Sequence, residues 1–175
     1  VRSRGLGDVY KRQELEIEKD ADEQLGIEFG QGLMDEYRSC RNKCMFCFID
    51  QMPEGMRDTL YFKDDDSRLS FLQGNYVTLT NMSDHDIERI IRYRLEPINI
   101  SFQTTNPQLR CKMLHNRFAG DILEKIGRFY EAGIRMNSQV VLCKGLNDGE
   151  ELDRTISDLG KFLPYMESLS VVPVG

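Results

Sequence analysis

Three cysteines in one short segment are the residues of this chain with the most distinctive chemistry. Cys40, Cys44 and Cys47 lie within eight residues, in the spacing C-x-x-x-C-x-x-C. A random scatter of the five cysteines over this length would give such a cluster on the order of once in a few hundred sequences. Chance is therefore a weak explanation. Thiols this close together can serve a metal ion, a disulfide or an iron–sulfur cluster.

The number of available ligands separates these uses. Structural zinc takes four nitrogen or sulfur ligands, usually as two short-spaced pairs, and the sequence has no second pair. His85 and His115 stand alone among charged residues, which is typical of surface side chains. Disulfides are expected in cysteine-dense secreted chains, and an odd triplet pairs poorly. A four-iron cluster normally takes four thiolates, so three leave one iron open to a small molecule.

Other candidate ligands lie outside this loop. Cys111 and Cys143 are far apart in the sequence, which favours buried structural thiols over a second cluster. The run Asp64, Asp65 and Asp66 suggests a cation site, but no EF-hand spacing follows it. We therefore predict a solvated turn or a helix start at these aspartates.

From residue 75 onward, strand and helix patterns alternate with short connections. Ser83 and Asp86 form a capping-box pattern at the start of a helix that Pro97 ends. Gly133 is placed to cap a second helix, and Asn106 is predicted to open a turn. The predicted strands are 75–81, 98–104, 134–142 and 168–174, and the first two helices are 83–95 and 121–132. The third helix is predicted to direct four residues inward: Leu152, Ile156, Leu159 and Phe162.

This alternation requires parallel strands joined by right-handed crossovers. Two α/β architectures satisfy it, an open doubly wound sheet and a partial barrel. Residues 33–37 predict a first strand just before the cysteines, and α/β barrels place their chemistry beyond the carboxyl ends of strands. The partial barrel is therefore favoured. No glycine-rich phosphate loop follows any strand, so nucleotide binding of the Rossmann or P-loop kind is unsupported.

Composition narrows the class of protein. Residues 3–13 are the translation of DNA that looks like a transposase-based sequencing adapter, so we interpret residues 1–13 as an assembly scar. Without them the net charge of −6 becomes −9, which makes nucleic acid an unexpected partner. No apolar run approaches the roughly 18 residues of a membrane span, and no signal peptide remains. Reduced thiols fit a cytoplasmic location.

The remaining chain divides by composition into a lead-in and a core. Residues 14–30 are strongly acidic and form either a lead-in or the remnant of an upstream domain. Residues 31–175 have no linker rich in proline or serine and are expected to form one hydrophobic core. We expect this core to be a fragment, truncated at its C-terminal end.

Two stretches carry a resemblance to a known family, CRNKCMFCFIDQMP at 40–53 and KDDDSRLSFLQGNYVTLTN at 63–81. They resemble segments of bacterial radical S-adenosylmethionine (SAM) proteins that have a PDZ-like module before the core and an uncharacterised domain after it. Residues 98–116, 134–152 and 168–175 are similar to strands and turns in relatives of the molybdenum-cofactor cyclase. The resemblance covers residues 14–175.

The resemblance implies a partial (β/α)6 TIM-like barrel and, for the intact protein, an enzyme that cleaves SAM reductively at a [4Fe-4S] cluster. The fragment alone is expected to be inactive, because no element follows its last strand to shield it. Cys40, Cys44 and Cys47 would hold the cluster, and Phe46 would pack near the adenine of SAM. The implied SAM contacts lie at strand ends: Thr80, Asn81, Ser101, Gln103, Ser138 and Gln139. The implied partners are an unknown substrate and a reducing electron donor such as flavodoxin or ferredoxin.

The sequence also departs from the superfamily. It lacks the Gly-Gly-Glu that usually meets the SAM amino group, and the distance from Cys47 to Ser101 is short for two full βα units. Gln103 stands where close relatives tend to have a histidine. Two alternatives therefore remain open: a [4Fe-4S] binding or electron-transfer protein that does not cleave SAM, and a zinc-binding interaction module.

Overall fold

The computed structural model describes residues 18–28, 33 and 36–174, in two compact units, Val1–Glu36 and Tyr37–Gly175. In the first unit, the described residues include a turn at Ala21 and Asp22. The interpreted scar at 1–13 lies outside the described residues, and so do parts of the acidic lead-in and of the strand predicted at 33–37.

The second unit is a mixed α/β arrangement that begins with the cysteine loop. Its strands are β1 (Ile98–Ser101), β2 (Met136–Leu142) and β3 (Met166–Pro173). Its helices are α1 (Ser67–Gln73), α2 (Asp84–Tyr93), α3 (Pro107–Leu114), α4 (Ile122–Glu131) and α5 (Glu150–Gly160). Single 3-10 turns occur at Phe48–Gln51, Asp58–Tyr61 and Ala119–Asp121. Over the described residues, we find no helix with the length and apolar character that a membrane crossing needs.

The three strands form one parallel sheet in the order β1-β2-β3, which confirms the predicted parallel arrangement. The strand predicted at 75–81 is reduced to one parallel bridge between Val77 and Ile100. The ladder stops there for two reasons. The backbone N–H of Thr78 donates to the Asp65 carboxylate instead of to a strand, and Leu79 takes a positive φ of 60° that turns the chain away.

The sheet has one apolar and one polar face, because strand side chains alternate. Ile98, Ile100 and Phe102 share the apolar face with Met136 and Val140, and all five are buried. Helices α2, α4 and α5 all contribute side chains to this same core: Ile87, Ile90, Ile122, Ile126, Phe129 and Leu159. The register places hydroxyl and amide side chains on the opposite face: Asn99, Ser101, Asn137, Gln139, Ser168 and Ser170. Helices α2, α4 and α5 therefore pack on the same face of the sheet. The described residues show neither a closed barrel nor helices on both faces of the sheet.

The predicted helix boundaries are largely confirmed. Ser83 and Asp86 form the capping box of α2, and Gly133, with a positive φ of 69°, follows the end of α4. Ile156 on α5 was predicted to face inward, but it is 48% exposed, so that assignment was wrong. Leu159 on the same helix is buried as predicted.

Helix α3 was predicted only as a turn at Asn106. In the structure Asn106 is the N-cap of α3, its side chain accepts from the Leu109 N–H at 3.3 Å, and Pro107 occupies the first helical turn. The helix lacks an apolar stripe because one of its buried residues is Arg110. The prediction for the aspartate run, a solvated turn or a helix start, was partly correct, since Asp66 is the N-cap of α1. Asp65 and Asp66 are nevertheless buried and not solvated.

One testable consequence concerns acid stability. Burial alone raises the pKa of Asp86, but hydrogen bonds from Arg38 and Ser83 outweigh it and lower that pKa to about 2. A carboxyl whose folded pKa lies below its unfolded value of about 3.9 stabilises the fold above that value. This stabilisation disappears as the pH falls toward 2. We expect Asp86→Asn to lower the free energy of unfolding by about 2 kcal/mol at pH 7, and the difference to vanish near pH 2.

Urea unfolding measured from pH 7 down to pH 2 checks this expectation. Asp84→Asn is the matched control. Asp84 lies in the same helical turn, but its side chain is exposed and its ion pair with Arg128 is a surface pair of small energy. An Asp86→Asn difference that is the same at every pH would contradict the assignment.

Candidate metal centre

The backbone of the cysteine loop forms hydrogen bonds to two neighbouring segments, the one around Lys63 and the end of α3. The Cys40 N–H donates to the Lys63 carbonyl at 2.7 Å, next to an antiparallel bridge between Ser39 and Asp64. On the other side, two loop N–H groups donate to the last carbonyls of α3. Lys43 binds Leu114 at 3.0 Å, and Met45 binds Met113 at 3.0 Å. These carbonyls are unpaired groups at a helix end, and the loop satisfies them.

The three thiols of the loop are half-buried and close enough to influence one another. Burial raises the pKa of Cys44 to about 12, and the neighbouring Cys40 and Cys47 add to the rise. Burial also raises the pKa of Cys40. Without a metal these two thiols therefore stay protonated at neutral pH, and metal binding must release their protons.

Phe46 and Cys44 pack against a small apolar cluster on α3 and the end of β2. Its buried members are Met113, Leu114, Ala119 and Cys143. Cys143 is buried as predicted for a structural thiol, whereas Cys111 packs against the same cluster and is only half-buried. Apolar side chains therefore pack against one side of the cysteine loop and exclude water there.

Within residues 18–28, 33 and 36–174, no three His, Cys, Asp or Glu side chains converge closely enough to hold a single metal ion. The donor set still fits an iron–sulfur cluster. Ligands to three different irons lie farther apart than ligands to one ion, and thiolates are the usual cluster ligands. Zinc fits less well, because structural zinc needs four ligands on one ion.

A buried polar network holds the loop against the end of the Val77 bridge. Asn42 is buried between Cys40 and Cys44, and its amide nitrogen donates to the hydroxyls of Thr78 at 3.0 Å and Thr80 at 2.9 Å. Its amide oxygen accepts from the Asn116 amide at 2.7 Å. These bonds leave Asn42 fully engaged, so the ligand loop has one preferred position.

Asp65 also belongs to this network, because its carboxylate binds Thr78. Its carboxylate accepts from the N–H of Thr78 at 2.7 Å and from the Thr78 hydroxyl at 2.6 Å. Burial raises the pKa of Asp65, and these hydrogen bonds oppose the rise. The buried aspartate thus takes the place of a strand partner for the Thr78 N–H.

Arg110 on α3 is fully buried, and its guanidinium binds backbone carbonyls rather than a carboxylate. It donates to Phe102 at 2.9 Å, to Thr78 at 2.8 Å, to Ser101 at 3.0 Å and to Ala119. Loss of water around this charge lowers the pKa of Arg110 to about 10, so it remains a cation at neutral pH. The Arg110 side chain thus links α3 to the end of β1, to the Val77 segment and to the turn before α4. Helix α3 is also the helix whose last carbonyls accept hydrogen bonds from the cysteine loop.

The six predicted SAM contacts do not lie together. Some point to the polar face of the sheet, and others are engaged in hydrogen bonds within the protein. Thr80 is engaged with Asn42 and Asp65, and the Asn81 amide donates to the Ser39 carbonyl at 2.9 Å. Ser138 and Gln139 point to opposite faces of the sheet. Ser138 is buried on the helix side, where its hydroxyl donates to the Ser168 carbonyl at 2.6 Å.

Gln139 and Ser101 are register partners on the polar face. Gln103 is buried with a positive φ of 66°, a strained backbone for a side chain of this size. Its amide is fixed on both sides, because the oxygen accepts from the Val141 N–H at 2.7 Å and the nitrogen donates to the Ser101 hydroxyl at 2.5 Å. Of the predicted contacts, Ser101 and Gln139 therefore lie on the polar face of the sheet. The side chains of Thr80, Asn81, Gln103 and Ser138 form hydrogen bonds within the protein.

The residues that hold the loop in place were not predicted from the sequence. Asn42 lies inside the cysteine motif, and Arg110 lies in a segment without helical periodicity. No pattern of spacing indicated that Arg110 would bind carbonyls, because its partners are distant in sequence.

The role of Arg110 predicts a large stability effect. Arg110→Met preserves the apolar length of the side chain but leaves buried carbonyls without donors, so we expect the free energy of unfolding to fall by about 3 kcal/mol or more. Urea unfolding at neutral pH measures this loss. The control is Arg92→Met on the exposed surface of α2, which should change stability by at most about 0.5 kcal/mol. Equal effects of the two substitutions would rule out the proposed role of Arg110.

Comparison with known proteins identifies a family for this chain. No curated protein matches the chain. The sequence model of a family described as a radical SAM-like domain matches residues 19–169, which include the cysteine loop, the network beneath it and the sheet as far as β3. Since this match covers most of the sequence, the chain belongs to the radical SAM-like domain family.

Proposed function

We propose that this chain is the core of a radical SAM enzyme whose [4Fe-4S] cluster is held by Cys40, Cys44 and Cys47. The observation that carries the proposal is the anchored loop, which brings three thiols to the carboxyl end of the Val77 segment and of β2. Among the described residues, no fourth ligand joins them in a metal-binding group. Such a cluster, when bound, leaves one iron free for SAM and supplies the electron that cleaves it to methionine and a 5′-deoxyadenosyl radical.

The chain's own residues would have three tasks in this reaction. Asn42, through Thr78 and Thr80, holds the ligand loop at the strand ends. Phe46 lies on the apolar cluster and keeps water away from one side of the site. Gln139 and Ser101 lie side by side on the polar face of the sheet, and their proposed task is to bind polar groups of SAM or of the substrate.

The proposal extends to the architecture. A parallel sheet with one apolar and one polar face is what part of a (β/α)6 barrel would present, with the polar face directed to the barrel interior. We further propose a cytoplasmic location, a PDZ-like module before this core and another domain after it. These are the features of the bacterial proteins that the sequence resembles.

A cluster-bearing electron-transfer protein that does not cleave SAM is the second candidate. Two observations favour it. The Gly-Gly-Glu segment is absent, and the side chains of Thr80 and Gln103 are occupied by internal hydrogen bonds. The two candidates differ in one product, because only the enzyme releases 5′-deoxyadenosine.

The test of the proposed function is anaerobic reconstitution followed by incubation with SAM and dithionite. In the intact protein we expect about four irons per chain and release of 5′-deoxyadenosine. Cys44→Ala should lose both, because only two thiolates would remain in the loop. Iron analysis and chromatography of the nucleoside products measure the two quantities.

Cys111→Ala is the matched control, since Cys111 is a half-buried thiol of the neighbouring apolar cluster and not of the loop. It should keep its iron and its product. A full cluster without any 5′-deoxyadenosine would favour the electron-transfer candidate. One tightly bound zinc and no iron would refute both candidates.

A further inference from the structure

Two segments without any acidic residue meet at the cysteine loop. Residues 38–49 and residues 97–120 contain no Asp or Glu, in a chain whose net charge is −6. Backbone bonds from Lys43 to Leu114 and from Met45 to Met113 join the segments, and the amides of Asn42 and Asn116 join them again. These two segments therefore carry net positive charge in a chain that is acidic overall. Two carboxylates also lie beside the thiols: Asp50, which forms an ion pair with Lys63, and Asp65, which is buried.

Four cations of these segments face solvent, and we call them the basic loop surface: Arg41, Lys43, Lys112 and Arg117. Arg41 and Lys43 flank Asn42 between the first two cysteines. Lys112 and Arg117 lie on the last turn of α3 and just beyond it. None of the four forms an ion pair with a residue in the described part of the chain. Their charges are therefore available to a partner.

Exposed apolar groups accompany these charges. Met45, beside Cys44, is 47% exposed. Phe118 is 64% exposed, with the Arg117 guanidinium 4.6 Å from its ring centre. A mixture of arginine, lysine, methionine and aromatic side chains is suited to a small, transient protein interface.

We propose that the basic loop surface is the docking site for an acidic one-electron carrier protein. This inference rests on the proposed function, which requires that an electron be supplied to the cluster. In each encounter one electron passes from the carrier to the cluster. The carrier is oxidised by one electron and the cluster is reduced by one, with no bond made or broken.

Charge complementarity selects this occupant. An acidic carrier would be attracted to the basic loop surface and repelled by the rest of the chain, so its encounters would be directed to the cysteine loop. A long nucleic acid is a poorer fit, because it would extend beyond four cations onto an acidic surface.

The experiment measures how fast reduced flavodoxin, an acidic carrier, reduces the reconstituted protein in an anaerobic stopped-flow instrument. In the wild type we expect the second-order rate constant to fall as salt is added. The double variant Lys112→Glu/Arg117→Glu should be reduced about tenfold more slowly at low salt and should lose most of the salt dependence. These residues are chosen because they are not part of the cysteine motif.

Two controls isolate docking from other effects. Arg92→Glu/Arg154→Glu makes the same charge change at exposed positions on α2 and α5 and should keep the wild-type rate. Photoreduced deazaflavin, a small donor that needs no docking site, should reduce all three proteins equally. If deazaflavin reduces the cluster but no 5′-deoxyadenosine forms with SAM, the proposed function fails while the docking result still stands.

Three results would overturn the docking proposal. One is a wild-type rate that does not depend on salt. This result is measured on the wild-type protein alone, so it does not depend on whether the variants fold. Another is equal slowing in both double variants. The third is tighter binding of a single-stranded DNA oligomer than of flavodoxin, lost in Lys112→Glu/Arg117→Glu, which would assign the basic loop surface to nucleic acid.

Discussion

The buried guanidinium of Arg110 is the constraint on which the rest of the site depends. A cation removed from water must be hydrogen-bonded, and here its partners are backbone carbonyls from three different segments. Those segments are consequently fixed relative to α3. Because α3 also accepts two hydrogen bonds from the cysteine loop, the position of the thiols is set by the same helix.

A second constraint follows from the division of the sheet into two faces. Helices α2, α4 and α5 pack on the apolar face, and the amides and hydroxyls of the other face are directed away from this core. Asn99, Asn137 and Ser168 satisfy one another in a row across the three strands, with bonds of 3.1 Å and 2.7 Å. The next row, Ser101 with Gln139, lies nearer the carboxyl end, on the side of the sheet to which Arg110 ties α3. Neutral hydrogen-bonding groups therefore line the polar face of the sheet.

Some of this arrangement could be predicted because its causes are local. The capping box of α2, the strands β1 to β3 and the parallel order all follow from patterns within a few residues. The cysteine spacing likewise depends only on neighbouring positions. Family membership was predicted from these same segments and is confirmed by the family match.

The remaining features depend on contacts between distant residues. The strand at 75–81 shrank to one bridge because Asp65 takes the N–H of Thr78, and no periodicity in either segment reveals that competition. Helix α3 escaped prediction because Arg110 is buried where an apolar residue was expected. Ser138 and Gln139 were predicted as a pair, although neighbouring residues of a strand point to opposite faces. Burial of charge and amide groups therefore determines the site, and spacing alone does not report it.

The most direct test of a three-thiolate cluster with one open iron is the EPR spectrum of the reduced, reconstituted protein before and after SAM is added. If SAM coordinates the open iron, its arrival changes the ligand field of the cluster, and the signal should shift. A spectrum that stays the same at saturating SAM would contradict the assignment, because the fourth iron would then be closed to the cofactor.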